Sequence, residues 1–363
     1  MVQQRLNKLK ELMRINETKC LILVPGVDQF YATGIITHPS ERLLAAIIPL
    51  EEEPIIICPS FEESRIQKSL ETGKIRTWDE EQNPFKLLGK TVKELGLETE
   101  KIALDNKLWF EWFLRIKEVL PKVQFTDSKK IIQAARLIKS EQEIAKMKTA
   151  SKIAAEAIIK AHQEAAPGMT ETEISEIVQK GLKKGGGRVA FCLVQSGSNS
   201  SFPHGSPTGR AIQQNDVLLI DAGPFYEGYI GDITITSVIG EPSDKFLKVY
   251  DIVYQGNRKA IEFLKAGVKA EEADKIAREV IKQAGFGDYF THRLGHGLGL
   301  EAHEPPYIVK GNELILQSGM CHSVEPGIYL PNEFGIRIED NIVIREDHAE
   351  FLYKVPRRIW EER

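Results

Sequence analysis

The sequence is poor in cysteine, in long apolar runs and in net charge, and each shortage excludes a class of protein. Its four cysteines lie far apart and form no CxxC pair, so we expect neither a disulfide framework nor a thiolate zinc site, and reduced thiols favour a cytoplasmic protein. The longest apolar run, residues 43–50, is too short to span a bilayer, and residues 1–15 form a charged amphipathic stretch rather than a signal peptide. No membrane partner is therefore expected.

Nucleic acid is not an expected partner either. The formal net charge is −4, and basic residues occur in short clusters rather than in a stripe. With 42% hydrophobic and 28% charged residues, the composition is typical of a soluble globular enzyme. A chain of 363 residues is long enough for two domains.

The first part of the chain predicts an α/β domain. Short β-branched runs alternate with helical stretches, with strands expected at 20–24, 43–48, 55–58 and 102–104 and helices near 83–95 and 108–119. We therefore expect a first domain at residues 1–130 and a second at 131–363.

The second part predicts an α+β domain. Ser140 with Glu143, and Thr170 with Glu173, form capping boxes that open two helices, the first reaching about residue 165. A third helix is expected near 270–284, and strands at 217–222, 232–238, 321–328 and 336–344. Helices packed on one mostly antiparallel sheet would make this fold.

Two aspartates stand at the ends of predicted strands. Asp221 ends one apolar run and Asp232 begins the next, with turn-forming proline and glycine between them. A hairpin-like connection would bring the two carboxylates together. The two-residue period of a strand places Thr234 on the same face as Asp232, so this polar face is expected to look into a site.

Three histidines follow within twelve residues. His292, His296 and His303 lie in a glycine-rich run that cannot hold a stable helix, so the backbone should be extended or looped. Histidine is the commonest transition-metal ligand and can also donate a hydrogen bond to a developing oxyanion. A single histidine is more often structural, but three in such a run favour a site.

Two glutamates lie on the last predicted strands. Pro326 interrupts the first of these strands directly after Glu325, and Arg337 shares a face with Glu339 on the second. A charged strand face is usually just solvated. The co-occurrence of four acidic strand positions with a histidine cluster in one domain favours a metal site instead.

The five proposed ligands have a simple charge balance. Four carboxylates and one neutral imidazole bring −4, which two divalent ions would neutralise. Oxygen-rich ligands favour Mn²⁺, Co²⁺ or Zn²⁺ over copper. Two such ions could bridge a water, lower its pKa towards about 7 and direct it at a carbonyl. This chemistry would hydrolyse an amide without a serine or cysteine nucleophile.

The sequence resembles the M24 metallopeptidases of pita-bread fold, and within them the bacterial Xaa-Pro dipeptidases (prolidases) and aminopeptidase P. The motifs that carry the resemblance are RLIKS from Arg136, HRLGHG from His292, HEPP from His303 and EPGIY from Glu325. The resemblance covers the whole chain. It implies a pita-bread catalytic domain preceded by a creatinase-like α/β domain, a short peptide as substrate, two divalent metal ions, most often Mn²⁺, and a homodimer.

The resemblance also implies a role for each ligand. Asp232 and Glu339 would bridge both metals, Asp221 would chelate one of them, and His296 with Glu325 would complete the other. Glu325 would in addition carry the proton of the bridging water.

Further roles follow from the same resemblance. His303 would stabilise the tetrahedral oxyanion, and His204, in the segment FPHG, would line the pocket. His292 would be a further substrate-pocket histidine, and Arg337 would orient Asp221.

Several alternatives stay open on the sequence alone. Some prolidases have a carboxylate-binding arginine where this chain has Tyr307, so dipeptides and longer peptides are both possible substrates. A catalytically inactive pita-bread binding module would have lost its ligands, whereas all five are present here. A methionine aminopeptidase normally lacks the long N-terminal domain, and a metal-free creatinase lacks the ligand set.

Overall fold

β-branched runs near the N-terminus form one buried sheet. The computed structural model describes residues 1–362, whose backbone falls into two units divided after Arg136. In the first unit the strands are ordered β4-β3-β2-β1-β5-β6, with both parallel and antiparallel pairs. They are β1 Cys20–Leu23, β2 Ala45–Pro49, β3 Ile55–Pro59, β4 Lys74–Trp78, β5 Lys101–Leu104 and β6 Gln124–Asp127.

Six helices accompany this sheet, so the predicted α/β class of the first unit is confirmed. Asn83 caps one of them, since its side chain accepts hydrogen bonds from the backbone N–H groups of Phe85 and Lys86. The helices are α1 Val2–Ile15, α2 Val27–Thr33, α3 Glu63–Ser69, α4 Pro84–Glu94, α5 Phe110–Val119 and α6 Lys129–Leu137.

The helices of the second unit begin where the capping residues predict. Both capping boxes are formed: Ser140 with Glu143, and Thr170 with Glu173. A long helix that the sequence reasoning missed begins after Ser243, whose hydroxyl accepts from the backbone N–H of Phe246. The helices are α7 Glu141–Glu164, α8 Glu171–Lys184, α9 Asp244–Phe263 and α10 Ala270–Gln283.

The strands of the second unit are all paired antiparallel, as expected, but the prediction of one sheet is wrong. They form a four-stranded sheet (β10-β8-β7, with β9 beside β8), a five-stranded sheet (β12-β11-β13-β16-β17) and a ribbon of β14 and β15. Their bounds are β7 Arg188–Ser196, β8 Val217–Tyr226, β9 Tyr229–Ile230, β10 Ile233–Val238, β11 Gly295–Gly297, β12 Glu304–Ile308, β13 Cys321–Val324, β14 Gly327–Leu330, β15 Phe334–Arg337, β16 Asp340–Ile344 and β17 Ala349–Phe351.

The helices pack in two pairs on these sheets. Apolar side chains of α7 and α8, such as Ile158 and Val178, share a core with Ile220 of β8. Those of α9 and α10 share another core with Val324 and Ile342 of the five-stranded sheet. Burial of such side chains stabilises each layer by roughly 1.5–3 kcal/mol per large residue. Among the described residues, no helix is long and apolar enough to cross a membrane.

Glu325 and Glu339 lie in breaks between strands rather than within a strand. The two strands predicted at 321–328 and 336–344 are each divided, because the chain leaves the five-stranded sheet for the ribbon at Glu325 and returns at Glu339. Asp221 was expected at the end of a strand, and its position differs too. It lies inside β8, which continues to Tyr226, rather than at a strand end.

The turn before β10 is held tightly against α7. A Cβ on Gly231 would lie only 2.4 Å from the backbone carbon of Ala150, so no other residue fits there without moving the turn. The side chain of Asn341 on β16 accepts from the backbone N–H of Asp232 at 2.9 Å and from the hydroxyl of Ser151 at 3.0 Å. These contacts fix the position of Asp232.

Candidate metal centre

Side chains from separate strands and turns of the second unit converge on one cavity of about 460 Å³. All nine residues that the sequence predicts for metal binding or catalysis line it, namely His204, Asp221, Asp232, His292, His296, His303, Glu325, Arg337 and Glu339. The rest of its wall consists of Phe191, Leu193, Pro203, Arg293 and Ala302. The wall of the cavity thus combines ionisable side chains with four apolar residues.

Asp232, His296 and Glu339 form the tightest group in this cavity. One ligand atom of each lies within 4.8 Å of those of the other two, and all three residues are buried. His296 Nδ1 is 3.3 Å from the carbonyl oxygen of Gly297, so Nδ1–H donates there and Nε2 is left facing the carboxylates. Nε2 lies 3.7 Å from Asp232 Oδ2. The group can therefore present one nitrogen and two carboxylates to a single cation.

Glu325 adjoins this group through the same imidazole. Its Oε1 is 3.0 Å from His296 Nε2 and also accepts from the hydroxyl of Ser323 at 3.0 Å. Burial raises the pKa of Glu325, but the hydrogen bond and charge of His296 outweigh this effect and lower the pKa to about 2. Glu325 is therefore an ionised acceptor at the edge of the cluster.

Asp221 is held by Arg337. The guanidinium donates from Nη2 to Asp221 Oδ2 at 2.7 Å, from Nε to Thr234 Oγ1 at 3.0 Å and from Nη1 to Tyr329 Oη at 2.8 Å. Thr234 lies beside Asp221 on the neighbouring strand and donates to Glu339 Oε2 at 2.7 Å. These hydrogen bonds orient both carboxylates towards the cavity.

The buried carboxylates fit divalent cations. Burial, and then the charge of a neighbouring carboxylate, raises the pKa of Asp232 and of Glu339 well above the ordinary range. Two buried oxygens, Asp221 Oδ1 and Glu339 Oε1, have no hydrogen-bond partner within residues 1–362. A cation would offset the repulsion and satisfy the lone pairs of these oxygens. Oxygen ligands with one imidazole suit Mn²⁺, Co²⁺ or Zn²⁺.

A hydrogen-bonded chain connects Arg337 to His292. His292 Nδ1–H donates to the carbonyl of Arg293 at 2.8 Å, so its Nε2 can accept from the Tyr329 hydroxyl at 2.9 Å. Burial lowers the pKa of His292, which favours this neutral form. The Tyr329 hydroxyl in turn accepts from Arg337. His292 is thus fixed in orientation at the cavity wall.

His303 and His204 are the accessible histidines of the cavity. The His303 ring lies edge-on to the ring of His296, with 4.0 Å between their centroids. Desolvation in the cavity lowers the pKa of His303 to about 4, and the charges of His296 and Arg293 act in the same direction. At neutral pH His303 is therefore an uncharged imidazole that can donate one N–H group.

Several residues of the site were not predicted from the sequence. The apolar wall includes Phe191 and Leu193 on β7, a strand that was not predicted, and the roles of Tyr329 and Ser323 depend on contacts across strands. Arg293 stood inside a quoted motif without an assigned role. Its cationic side chain beside two histidines was the available signal.

Comparison with known proteins decides the family. The profile of metallopeptidase family M24 matches residues 145–346, and that of the creatinase/prolidase N-terminal domain matches residues 5–138. The chain belongs to metallopeptidase family M24. It therefore has a creatinase-like N-terminal domain followed by a pita-bread catalytic domain, and the fold expected from the resemblance is confirmed.

Similar proteins include peptidases of more than one specificity. The chain is 34% identical over 347 residues to a Xaa-Pro dipeptidase of Lactobacillus helveticus, which covers 94% of each protein. A prolidase structure from Thermococcus sibiricus matches with a TM-score of 0.92 at 33% identity over 98% of both chains. An X-Pro aminopeptidase structure from Thermotoga maritima matches with a TM-score of 0.87 at 32% identity, over 97% of this chain and 98% of that one. This M24 chain is accordingly a metal-dependent peptidase.

Proposed function

We propose that this peptidase hydrolyses the Xaa-Pro bond of short peptides with two divalent cations, and that it acts mainly as an Xaa-Pro dipeptidase. The observation that carries the proposal is the buried cluster of Asp232, His296 and Glu339 in the wall of a cavity of about 460 Å³. This volume lies in the lower part of the range of small-molecule sites, roughly 300–1,000 Å³. A short peptide fits such a space better than a protein chain does.

The residues divide the work of holding the cations. Asp232 and Glu339 would bridge both, Asp221 would bind one, and His296 with Glu325 would bind the other. When bound, the two cations would activate a water molecule and polarise the scissile carbonyl. Four carboxylates, two divalent cations and the Arg337 guanidinium leave a formal charge of +1, which favours one anion in the site. We propose Mn²⁺ as the cation, with Co²⁺ or Zn²⁺ as alternatives.

The other side chains act on the peptide and on protons. Glu325, an ionised acceptor, is suited to accept a proton from the attacking water and to pass it to the leaving nitrogen. His303 and His204 are suited to donate hydrogen bonds to the developing oxyanion, because both are accessible from the cavity. Arg337 would act by orienting Asp221.

Proline specificity is supported by the names of the similar proteins and by the chemistry of the bond. An Xaa-Pro bond is a tertiary amide without an N–H group, which general peptidases accommodate poorly. The apolar wall formed by Phe191, Leu193 and Ala302 offers a surface for a pyrrolidine ring. The cytoplasmic location and the homodimer stay predictions. Light scattering on the purified protein tests the second.

The test compares Ala-Pro, Ala-Pro-Ala, N-acetyl-Ala-Pro and Ala-Ala as substrates with Mn²⁺. Rapid cleavage of Ala-Pro, with little cleavage of Ala-Ala or of the acetylated peptide, supports a proline-specific dipeptidase that requires a free amino group. Equal or faster cleavage of Ala-Pro-Ala would favour aminopeptidase P. If no Xaa-Pro bond is cleaved with any of the three metals, the proposal fails.

A further inference from the structure

A buried carboxylate outside the cavity binds both ends of the loop that carries His204. This carboxylate belongs to Glu171, the first residue of α8, whose side chain is fully buried. Burial of a carboxylate is unfavourable unless hydrogen bonds satisfy its oxygens. The donors that satisfy Glu171 lie at the start and at the end of residues 197–208 and on the last residue of β7. We call residues 197–208 the His204 loop.

One oxygen of Glu171 binds the start of the His204 loop, and the other binds its end. Oε1 accepts from the backbone N–H and the hydroxyl of Ser196, at 2.7 and 2.9 Å, and from Asn199 Nδ2 at 3.1 Å. Oε2 accepts from the backbone N–H and the hydroxyl of Thr208, at 3.0 and 2.5 Å. The carboxylate therefore joins the two ends of the loop at its base.

The middle of the His204 loop reaches the cavity. Pro203 and His204 line the cavity wall, and the carbonyl oxygen of Pro203 accepts from Arg337 Nη1 at 3.1 Å. Among the described residues, none forms a hydrogen bond with the His204 imidazole. The position of this imidazole is therefore set by the backbone of the loop, which Glu171 holds at its base.

We propose that Glu171 is a positioning residue for catalysis, which places the His204 imidazole by joining the ends of the His204 loop. This rests on the proposed function, in which His204 donates a hydrogen bond to the developing oxyanion. Such a donor works only within hydrogen-bond distance, and a displacement of about 1 Å can cost about 100-fold in rate. Glu171 itself does not line the cavity, so its effect on the rate should depend on His204.

The experiment measures kcat and KM for Ala-Pro with Mn²⁺ in Glu171→Gln, in His204→Ala and in the double variant. Glutamine keeps the size of the side chain, but in either orientation its NH₂ group faces donors that now bind an oxygen. We expect kcat of Glu171→Gln to fall by about 10- to 100-fold, with little change in KM. The double variant should have a kcat within about twofold of His204→Ala, because a side chain that acts through His204 has no further effect once His204 is removed.

Metal content and the gain in Tm from Mn²⁺ are measured in the same variants. Both should match wild type in Glu171→Gln, because this side chain does not contact the proposed metal ligands. The loop also contacts Arg337 through Pro203, so a loss of metal would show that Glu171 acts on the metal site rather than through His204. That result would overturn the inference.

A milder variant and a matched control complete the experiment. Thr208→Val removes one hydroxyl that binds Glu171 and keeps the backbone N–H, so it should lower kcat by a smaller factor, and only when His204 is present. Glu173→Gln makes the same chemical change on the same helix, but the Glu173 carboxylate binds Thr170 instead of the loop. Its kcat should match wild type.

The possible results separate the inference from the proposed function. Wild-type kcat in Glu171→Gln, or losses that multiply in the double variant, would overturn the inference. If Glu171→Gln does not fold, wild-type kcat in Thr208→Val would overturn it. A wild-type kcat in His204→Ala, or a wild-type enzyme that cleaves no Xaa-Pro bond, would instead refute the proposed function on which the inference rests.

Discussion

Replacing Asp232 with asparagine separates a metal-binding role from a structural one. The substitution keeps the shape of the side chain and removes a charge that is buried beside His296 and Glu339. Loss of a hydrogen-bond partner of a metal ligand lowers metal affinity by about 10- to 100-fold. Loss of a ligand itself should therefore cost at least about 100-fold, or about 3 kcal/mol.

The same substitution should have the opposite effect without metal. Burial, and then the charge of Asp221, raises the pKa of Asp232, so its ionised form destabilises the folded chain. In the presence of a chelator, Asp232→Asn should therefore melt at or above the wild-type temperature. With Mn²⁺, its gain in Tm should be smaller than that of wild type by about 6–12 °C, since 1 kcal/mol shifts Tm by about 2–4 °C in a domain of this size.

Thermal unfolding with chelator and with Mn²⁺, together with metal content and Ala-Pro hydrolysis, measures these effects. Asp288→Asn, at an exposed carboxylate of the same unit, is the matched control and should match wild type throughout. Full activity with a normal metal-dependent gain in Asp232→Asn would refute the placement of the site. A large loss of stability in chelator would show that Asp232 is structural.

Three further results are expected. His303→Ala should keep its metal and lose about 10²–10³ in kcat, because a hydrogen-bond donor to the oxyanion is removed; loss of metal in this variant would contradict the assignment. Lys139→Met should destabilise the protein by about 3–5 kcal/mol in chemical denaturation, because it removes the ammonium that pairs with the buried Glu304 carboxylate at 2.8 Å. A Lys139→Met/Glu304→Met double variant should recover part of this loss, and an additive loss would contradict the pairing. The gain in Tm from Mn²⁺ should grow between about pH 5 and about pH 8. Without a cation, the raised pKa values of Asp232 and Glu339 make the folded chain retain protons that the unfolded chain loses above about pH 4, so the stability of the metal-free protein falls as pH rises. A gain in Tm that is independent of pH would contradict this linkage.

The elements that the sequence predicted correctly are those that depend on residues close together in the chain. The two capping boxes placed the starts of α7 and α8 correctly, because a cap depends on residues three positions apart. Helix α9 was missed, although Ser243 caps it. The strands around Glu325 and Glu339 were predicted as continuous, since the transfer of the chain between two sheets depends on pairing with distant segments.

For the candidate site, residue types could be predicted but contacts could not. Carboxylates and histidines in one domain pointed to metal chemistry, and the resemblance to a family implied their roles. The hydrogen bonds from Arg337 to Tyr329 and Asp221, and the stacking of Arg293 on Tyr307, join residues whose distance depends on strand register. Sequence spacing alone does not give strand register, so these contacts between cavity residues could be identified only from the structure.

Anomalous X-ray diffraction from crystals grown with Mn²⁺ would show where the cations bind. We expect two peaks in the cavity, both near Asp232 and Glu339. His296 and Glu325 should lie within about 2.5 Å of one peak, and Asp221 within about 2.5 Å of the other. Crystals that show no peak among these side chains, or cations bound only elsewhere on the molecule, would contradict it.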